Sequence, residues 1–208
     1  MKKLLTLLFS VFLLSSTAVF ADDISDFQIE GISIGDSLLD YMTEDEILKE
    51  IEENRYLYEF LKNPDEFREV YLLDYKELQT YDNLTVFVQN NSTNKYITNN
   101  NEKFKIYAIR GIINFNDNIE ECIKERNTIA NVLSNIFKDA EKTEIDFNHS
   151  VDPSGNSKIY GIYFKLKSGN EVSVDCIDFE ENLRINNNWS EGITVGITTV
   201  EFDDWISN

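Results

Sequence analysis

Between Lys103 and Cys176 the apolar positions change period twice. Phe104, Ile106, Ala108 and then Ile112 predict a long strand that ends near Phe115 and bends at Gly111. From Ile119 the spacing becomes helical. Ile119, Cys122, Ile123, Ile129, Ala130, Leu133, Ile136 and Phe137 share one stripe, with Glu120, Glu121, Lys124, Glu125, Asn131 and Lys138 largely opposite. Asp117 or Asn118 caps the start, and Glu120 and Glu121 suit the positive end of the helix dipole. Arg126 stands near the stripe; its stem is expected to pack and its head to reach water. Then Ile145, Phe147 and His149 alternate with Glu144, Asp146 and Asn148, the period of a half-buried strand. Ile159 to Lys167 and Val172 to Asp178 form a hairpin around Ser168-Gly169-Asn170.

The flanks are less regular. Phe27, Ile29, Ile32 and Ile34 suggest a short extended piece interrupted by Gly31. Asp36 or Ser37 caps a turn holding Leu38 and Leu39. Thr43 with Glu46 is a capping box, and the helix it opens fades by Asn54. Arg55 to Tyr75 is rich in aromatics, which serve as core or line a ligand groove; Pro64 predicts a short helix after it. Leu84 to Val88 is a strand, with Tyr96-Ile97 as a short return. Glu180 to Asn188 is expected as loop, and Ile193, Val195 and Ile197 open a last strand reaching Val200 or Phe202. Trp205 and Ile206 tuck the tail against the body. Strands joined by short turns imply an α+β fold: a predominantly antiparallel sheet with one long amphipathic helix packed on a face.

The start of the chain changes the picture of where this fold works. Lys2 and Lys3 precede an apolar run from Leu4 to Leu14, and Val19-Phe20-Ala21 offers small residues for cleavage. Residues 1–21 therefore read as a secretory signal peptide, and 22–208 as one exported domain. No later stretch is long and apolar enough to span a bilayer. Cleavage leaves 17 basic residues against 38 acidic ones. A surface so acidic repels phosphate backbones, which disfavours nucleic acid and leaves cations or basic partners admissible.

Catalytic chemistry has one candidate constellation. Gly35-Asp36-Ser37-Leu38 resembles the nucleophile block of the GDSL (SGNH) hydrolases, and Asp146-Phe147-Asn148-His149 resembles their Asp-x-x-His block. The resemblance implies Ser37 as nucleophile, His149 as general base and Asp146 orienting the imidazole. The chain departs from that family's pattern elsewhere. Asn114 stands where the glycine of the Gly-x-Asn-Asp oxyanion block belongs, before Asn116-Asp117. Hairpins replace the family's α/β alternation, and a strand over 144–149 points Asp146 and His149 to opposite faces. The competing reading makes Ser37 a helix cap and His149 a strand-end residue. Asp152-Pro153-Ser154-Gly155-Asn156 resembles the front of a calcium loop without its closing Glu, so no metal ligand set or cofactor motif is assigned.

The segment from Phe27 to Tyr41, with a cysteine-bearing helix and a second cysteine in a late strand, is similar to a group of uncharacterised exported proteins from marine bacteria. That resemblance carries no activity or ligand. Cys122 and Cys176 are the only cysteines; in an oxidising compartment a helix packed on the strand face of Val172 and Val174 would let them bond. Two buried free thiols are the alternative. The functional expectation is a periplasmic or secreted binding or interaction module for an unspecified ligand or partner, with a GDSL-type serine esterase as the alternative.

Overall fold

The computed structural model describes Ile24 and residues 27–72, 75, 78–90, 99–115, 118–187 and 189–208. The segment read as a signal peptide, the Tyr96-Ile97 strand and the Asn116-Asp117 block lie outside the described residues.

The fold is mixed α+β around a large antiparallel sheet. Strands β1 (Gln28–Ile29) and β2 (Ile32–Ser33) make a small hairpin. Glu30 and Gly31 turn it with φ of 52° and 81°, the left-handed conformation that a two-residue hairpin needs. The Glu30 carboxylate is not wasted there: it accepts from the backbone N–H of Gln79 (3.1 Å) and Thr80 (2.9 Å). Strands β3 (Phe67–Tyr71), β4 (Asn83–Gln89), β5 (Ile106–Asn114), β6 (Glu141–Asn148), β7 (Lys158–Lys165), β8 (Glu171–Asp178) and β9 (Gly192–Thr198) form the main sheet, in the order β3-β4-β5-β9-β8-β7-β6. Every pairing is antiparallel. Two meanders, β3 to β5 and β6 to β9, meet where β9 pairs with β5.

Four α-helices accompany the sheet among the described residues: α1 (Glu44–Glu53), α2 (Ile119–Ile136), α3 (Glu181–Asn187) and α4 (Val200–Ile206). α1 begins with the expected capping box between Thr43 and Glu46. α2 connects the two meanders and lies on one face, against β7, β8 and β9. Asn118 is its cap, accepting from the Glu121 N–H at 3.1 Å. Its inner side buries Cys122, Ile129, Ala130 and Leu133 against Ile162, Val174 and Ile193. Cys122 and Cys176 are bonded, with Cα atoms 6.0 Å apart.

Arg126 departs from its expected role. It is 3 % exposed, and its head reaches Glu144 of β6 at 2.7 Å rather than open water. It bridges helix and edge strand. Further expectations are corrected. The segment after Pro64 is strand β3, not helix, because Phe67, Glu69 and Tyr71 alternate with Val70 and pairing with β4 outweighs local propensity. Residues 181–187 form a helix instead of a loop. β6 is an edge strand whose eight residues are all exposed, so Ile145 and Phe147 alternate without a layer to bury them. The pairing of β5 with β4 and β9 runs unbroken through Gly111. Its irregularity is a register shift opposite Phe87 and Val88, while the bare Gly111 lets the Tyr81 ring lie where a Cβ would be.

The second face of the sheet is divided. At one end α4 lays Phe202 and Trp205 over Phe67, Phe87 and Ala108. At the other end, among the described residues, no helix covers the strands. That end is the site described next.

Candidate functional site

Register fixes the side chains on the open face. Antiparallel partners share a face, so Tyr71 and Thr85 on β3 and β4 sit in one row with Arg110 and Gly196, and Ile112 sits in the next with Thr194 and Asp175. α1 packs beside β3 and raises one wall, carrying Glu50 and Glu53 and continuing through Leu57 and Tyr58. The loops after β6 and β8, and the segment before β9, raise the other, with His149, Phe179 and Trp189. Between them lies a groove of about 820 Å³ whose floor includes Glu69, Tyr71, Arg110 and Thr194. Pockets of this size hold small ligands.

The far wall is an aromatic ledge. His149 and Phe179 rings stand 5.1 Å apart, and Phe179 and Trp189 4.9 Å apart. Buried polar groups hold it. Glu191 is 8 % exposed, accepts from the Phe179 N–H at 2.9 Å and faces Arg184 at 3.8 Å. The Trp189 N–H donates to the Arg184 carbonyl. Asp152 accepts from Ser154 and Ser157 N–H groups (2.8 and 2.7 Å) and from the Ser157 hydroxyl (2.9 Å), whose oxygen accepts from the Glu180 N–H. The Asp152 loop is thus closed by its own hydrogen bonds, which hold the carboxyl well below the usual range. Its oxygens organise backbone, as in an Asx turn. Among the described residues no three His, Cys, Asp or Glu side chains converge to hold a metal.

The floor carries charge out of water. The Arg110 guanidinium sits 5.5 Å from the Phe87 ring centre. Glu69 is 6 % exposed; burial pushes its carboxyl up, against the Arg110 charge and a 3.1 Å hydrogen bond from the Tyr58 hydroxyl. Burial, and then Glu69, raise Tyr71 to about 12. Asp175 is pushed up to about 6 by burial, although the hydroxyls of Tyr163 and Ser173 and the Arg110 charge lower it. Its Oδ1 is buried with no hydrogen-bond partner. Arg110, beside these acids, donates no hydrogen bond to any described residue. Its guanidinium, with five N–H donors, lines the groove.

The structure does not assemble the candidate triad. Ser37 is 4 % exposed; its Oγ donates to the Lys103 carbonyl at 2.8 Å and accepts from the Leu39 N–H, capping a short 3-10 turn. It bridges to Lys105, just before β5. His149 follows Asn148, which aligns through Lys158, Asp178 and the neighbouring ends of β8 and β9 with the opposite end of β5. The nine residues of β5 span about 30 Å at ~3.4 Å each, so Ser37 and His149 belong to opposite ends of the sheet. Asp146 pairs with Tyr160 and falls on the α2 side, whereas His149 lines the groove. The His149 Nδ1 accepts from the Val151 N–H at 3.3 Å, and burial lowers its proton affinity. His149 is a wall residue here.

Arg110, Glu69 and Asp175 were not singled out by the sequence. Their signal was an ionisable residue recurring inside an otherwise apolar strand, Ile109-Arg110-Gly111 and Val174-Asp175-Cys176. Neither tells which strands are neighbours, and the cluster exists only through the pairing of β3, β4, β5, β9 and β8. Among the described residues no helix is long and apolar enough to cross a membrane. No family model matches the chain, and no curated relative or solved structure matches it either.

Proposed function

We propose that this chain is an exported, non-enzymatic binding module that holds its ligand in the groove on the open sheet face. The observation that carries the reading is the aromatic-walled cleft with Arg110 on its floor, which donates no hydrogen bond to any described residue. A preformed concave site with a few convergent polar groups is the usual form of a ligand site. Nucleophile, base and orienting acid are not brought together, so nothing in the groove favours ester hydrolysis. Export rests on the Lys2-Lys3 start and apolar run, and the Cys122–Cys176 bond supports an oxidising compartment. The likeness to small exported bacterial proteins agrees with this. An α+β domain built as a sheet with α2 on one face leaves the part of the other face that α4 does not cover for recognition.

Two measurements test the proposal. Mass spectrometry of periplasmic protein is expected to find an N-terminus at or near Asp22; an intact Met1 there refutes a cleaved signal peptide, and recovery of the chain from the cytoplasm alone refutes export. Amide NMR of the labelled protein against a mixed panel of sugars, peptides and metabolites is expected to shift Glu69, Arg110, Thr194 and Trp189 together. Silence across the panel, or shifts confined to other surfaces, refutes the groove as the site.

A further inference from the structure

The chemistry of the groove selects among ligand classes, provided the groove is the binding site as proposed above. Arg110 needs acceptors: its guanidinium lies over the Phe87 ring and near the charges of Glu69 and Asp175 but donates no hydrogen bond to any described residue, so a simple cation would leave its donors unsatisfied. Anions are opposed. Glu69 lies on the same floor, Glu50 and Glu53 stand on the α1 wall, and the chain carries a formal charge of −19. The rim acids are partly engaged already, Glu53 with Lys49 at 3.9 Å and Glu50 with the Asn54 amide at 3.4 Å. What the floor asks for is a ligand whose groups both accept from Arg110 and donate to Glu69 without net charge. Hydroxyls do both.

The walls add a second requirement. Phe179 and Trp189 are half-buried rings on a fixed ledge, and Tyr58 and Tyr71 line the same groove. Flat, half-exposed rings beside hydrogen-bonding groups suit a ligand with an apolar face and polar edges. A pyranose ring has that form: its C–H faces stack on aromatics while its hydroxyls radiate at the edge. The groove volume of 820 Å³ lies in the upper part of the roughly 300–1,000 Å³ range of small-ligand sites, more than a single sugar requires. We propose that the groove binds a neutral oligosaccharide, with Trp189 and Phe179 as the stacking platform and Arg110 and Glu69 as the pair that reads its hydroxyls.

The test uses protein purified from an oxidising compartment and titrated with neutral gluco-, manno- and xylo-hexaoses, hexalysine and a hexagalacturonate. Trp205 is 5 % exposed, whereas Trp189 lies on the groove, so a ligand-dependent change in tryptophan fluorescence reports on Trp189. At least one neutral hexaose is expected to give a saturable change. Calorimetry should then show its affinity falling about tenfold or more in Trp189→Ala, the effect of losing roughly 1.4 kcal/mol. Arg110→Lys keeps the charge beside Glu69 but loses the planar fork, and is expected to weaken binding comparably with thermal stability preserved. Binding of hexalysine or hexagalacturonate alone, sensitive to the same two substitutions, overturns the sugar assignment while the groove remains a binding site. No response to any neutral hexaose overturns it as well, and the wider NMR panel then decides whether the groove binds anything.

Discussion

Cys122 of α2 and Cys176 of β8 are joined, and their bond crosses the layer between the helix and the sheet. Both residues are at most 1 % exposed, amid Ile129, Ala130, Val174 and Ile193. The cross-link ties the connecting helix to the middle of the second meander, whose far strand β6 is otherwise held by β7 and by Arg126 on Glu144. α2 therefore cannot lift from the sheet without carrying β8 with it.

The bond closes a loop with a sequence separation of 54. On the chain-entropy account a loop of that length is worth roughly 4 kcal/mol, with the enthalpic share model-dependent. A Cys122→Ala, Cys176→Ala double variant is expected to unfold at markedly lower denaturant, by about that amount. The unreduced, unfolded wild type should show no reactive thiol. Two thiols per chain in oxidised material, or a midpoint unchanged by reduction, would refute the role.

Ser37→Ala separates cap from nucleophile. The substitution removes the hydrogen bond to Lys103 and the cap on Leu39. Loss of such a cap costs about 1 kcal/mol, and a buried bond of this kind a similar amount. Stability is expected to fall by ~1–2 kcal/mol, with hydrolysis of short-chain esters no different from background in both proteins. Esterase activity that vanishes in a folded Ser37→Ala variant would reject the cap reading.

The elements legible in the sequence were those set by local patterns. The stripe from Ile119 to Phe137 marked α2, Thr43 and Glu46 marked the start of α1, and Ser168-Gly169-Asn170 marked the β7–β8 hairpin. Elements decided by distant partners were not. Phe67 to Tyr71, expected as helix after Pro64, is a strand because β4 lies beside it. Ile145 and Phe147 carry the alternation of a buried face, yet β6 ends the sheet and nothing covers them. The candidate site followed the same divide. Tyr58 and Tyr71 belonged to an aromatic stretch visibly suited to a groove or a core, and the fold uses it for both. Arg110 and Asp175 lie 65 residues apart in number and meet only because β9 pairs with both β5 and β8.

Trp205→Ala probes the α4 end of the open face. Trp205 is 5 % exposed, donates from Nε1 to the Asn63 carbonyl at 2.7 Å, and packs on Phe67 and Tyr58 at 5.4 and 5.3 Å between ring centres. Removing a buried indole costs about 3–5 kcal/mol. Because Tyr58 also lines the groove, ligand affinity is expected to fall with stability, while the Cys122–Cys176 bond still forms. A chemical denaturation shift under ~1 kcal/mol would show that this end of the sheet does not depend on α4.

Asp175 should impose a pH dependence of opposite sign to that of most carboxylates. Burial raises it from 3.8 to about 6 in the folded chain, a difference equivalent to about 3 kcal/mol. The folded state holds this proton where the unfolded chain has released it. The stabilising contribution is therefore complete below 3.8 and lost as pH rises through about 6, after which a constant penalty remains. Glu69, also raised by burial, acts in the same direction, and Asp152, held low by its loop, acts in the reverse. The difference between Asp175→Asn and wild type isolates the one group. Near pH 4 the two proteins are expected to be nearly equal in stability; near pH 7 the variant should be more stable, by up to about 3 kcal/mol. Denaturant titrations across that interval measure it, and a difference that does not change with pH would show that Asp175 ionises in the fold as freely as it does in the unfolded chain.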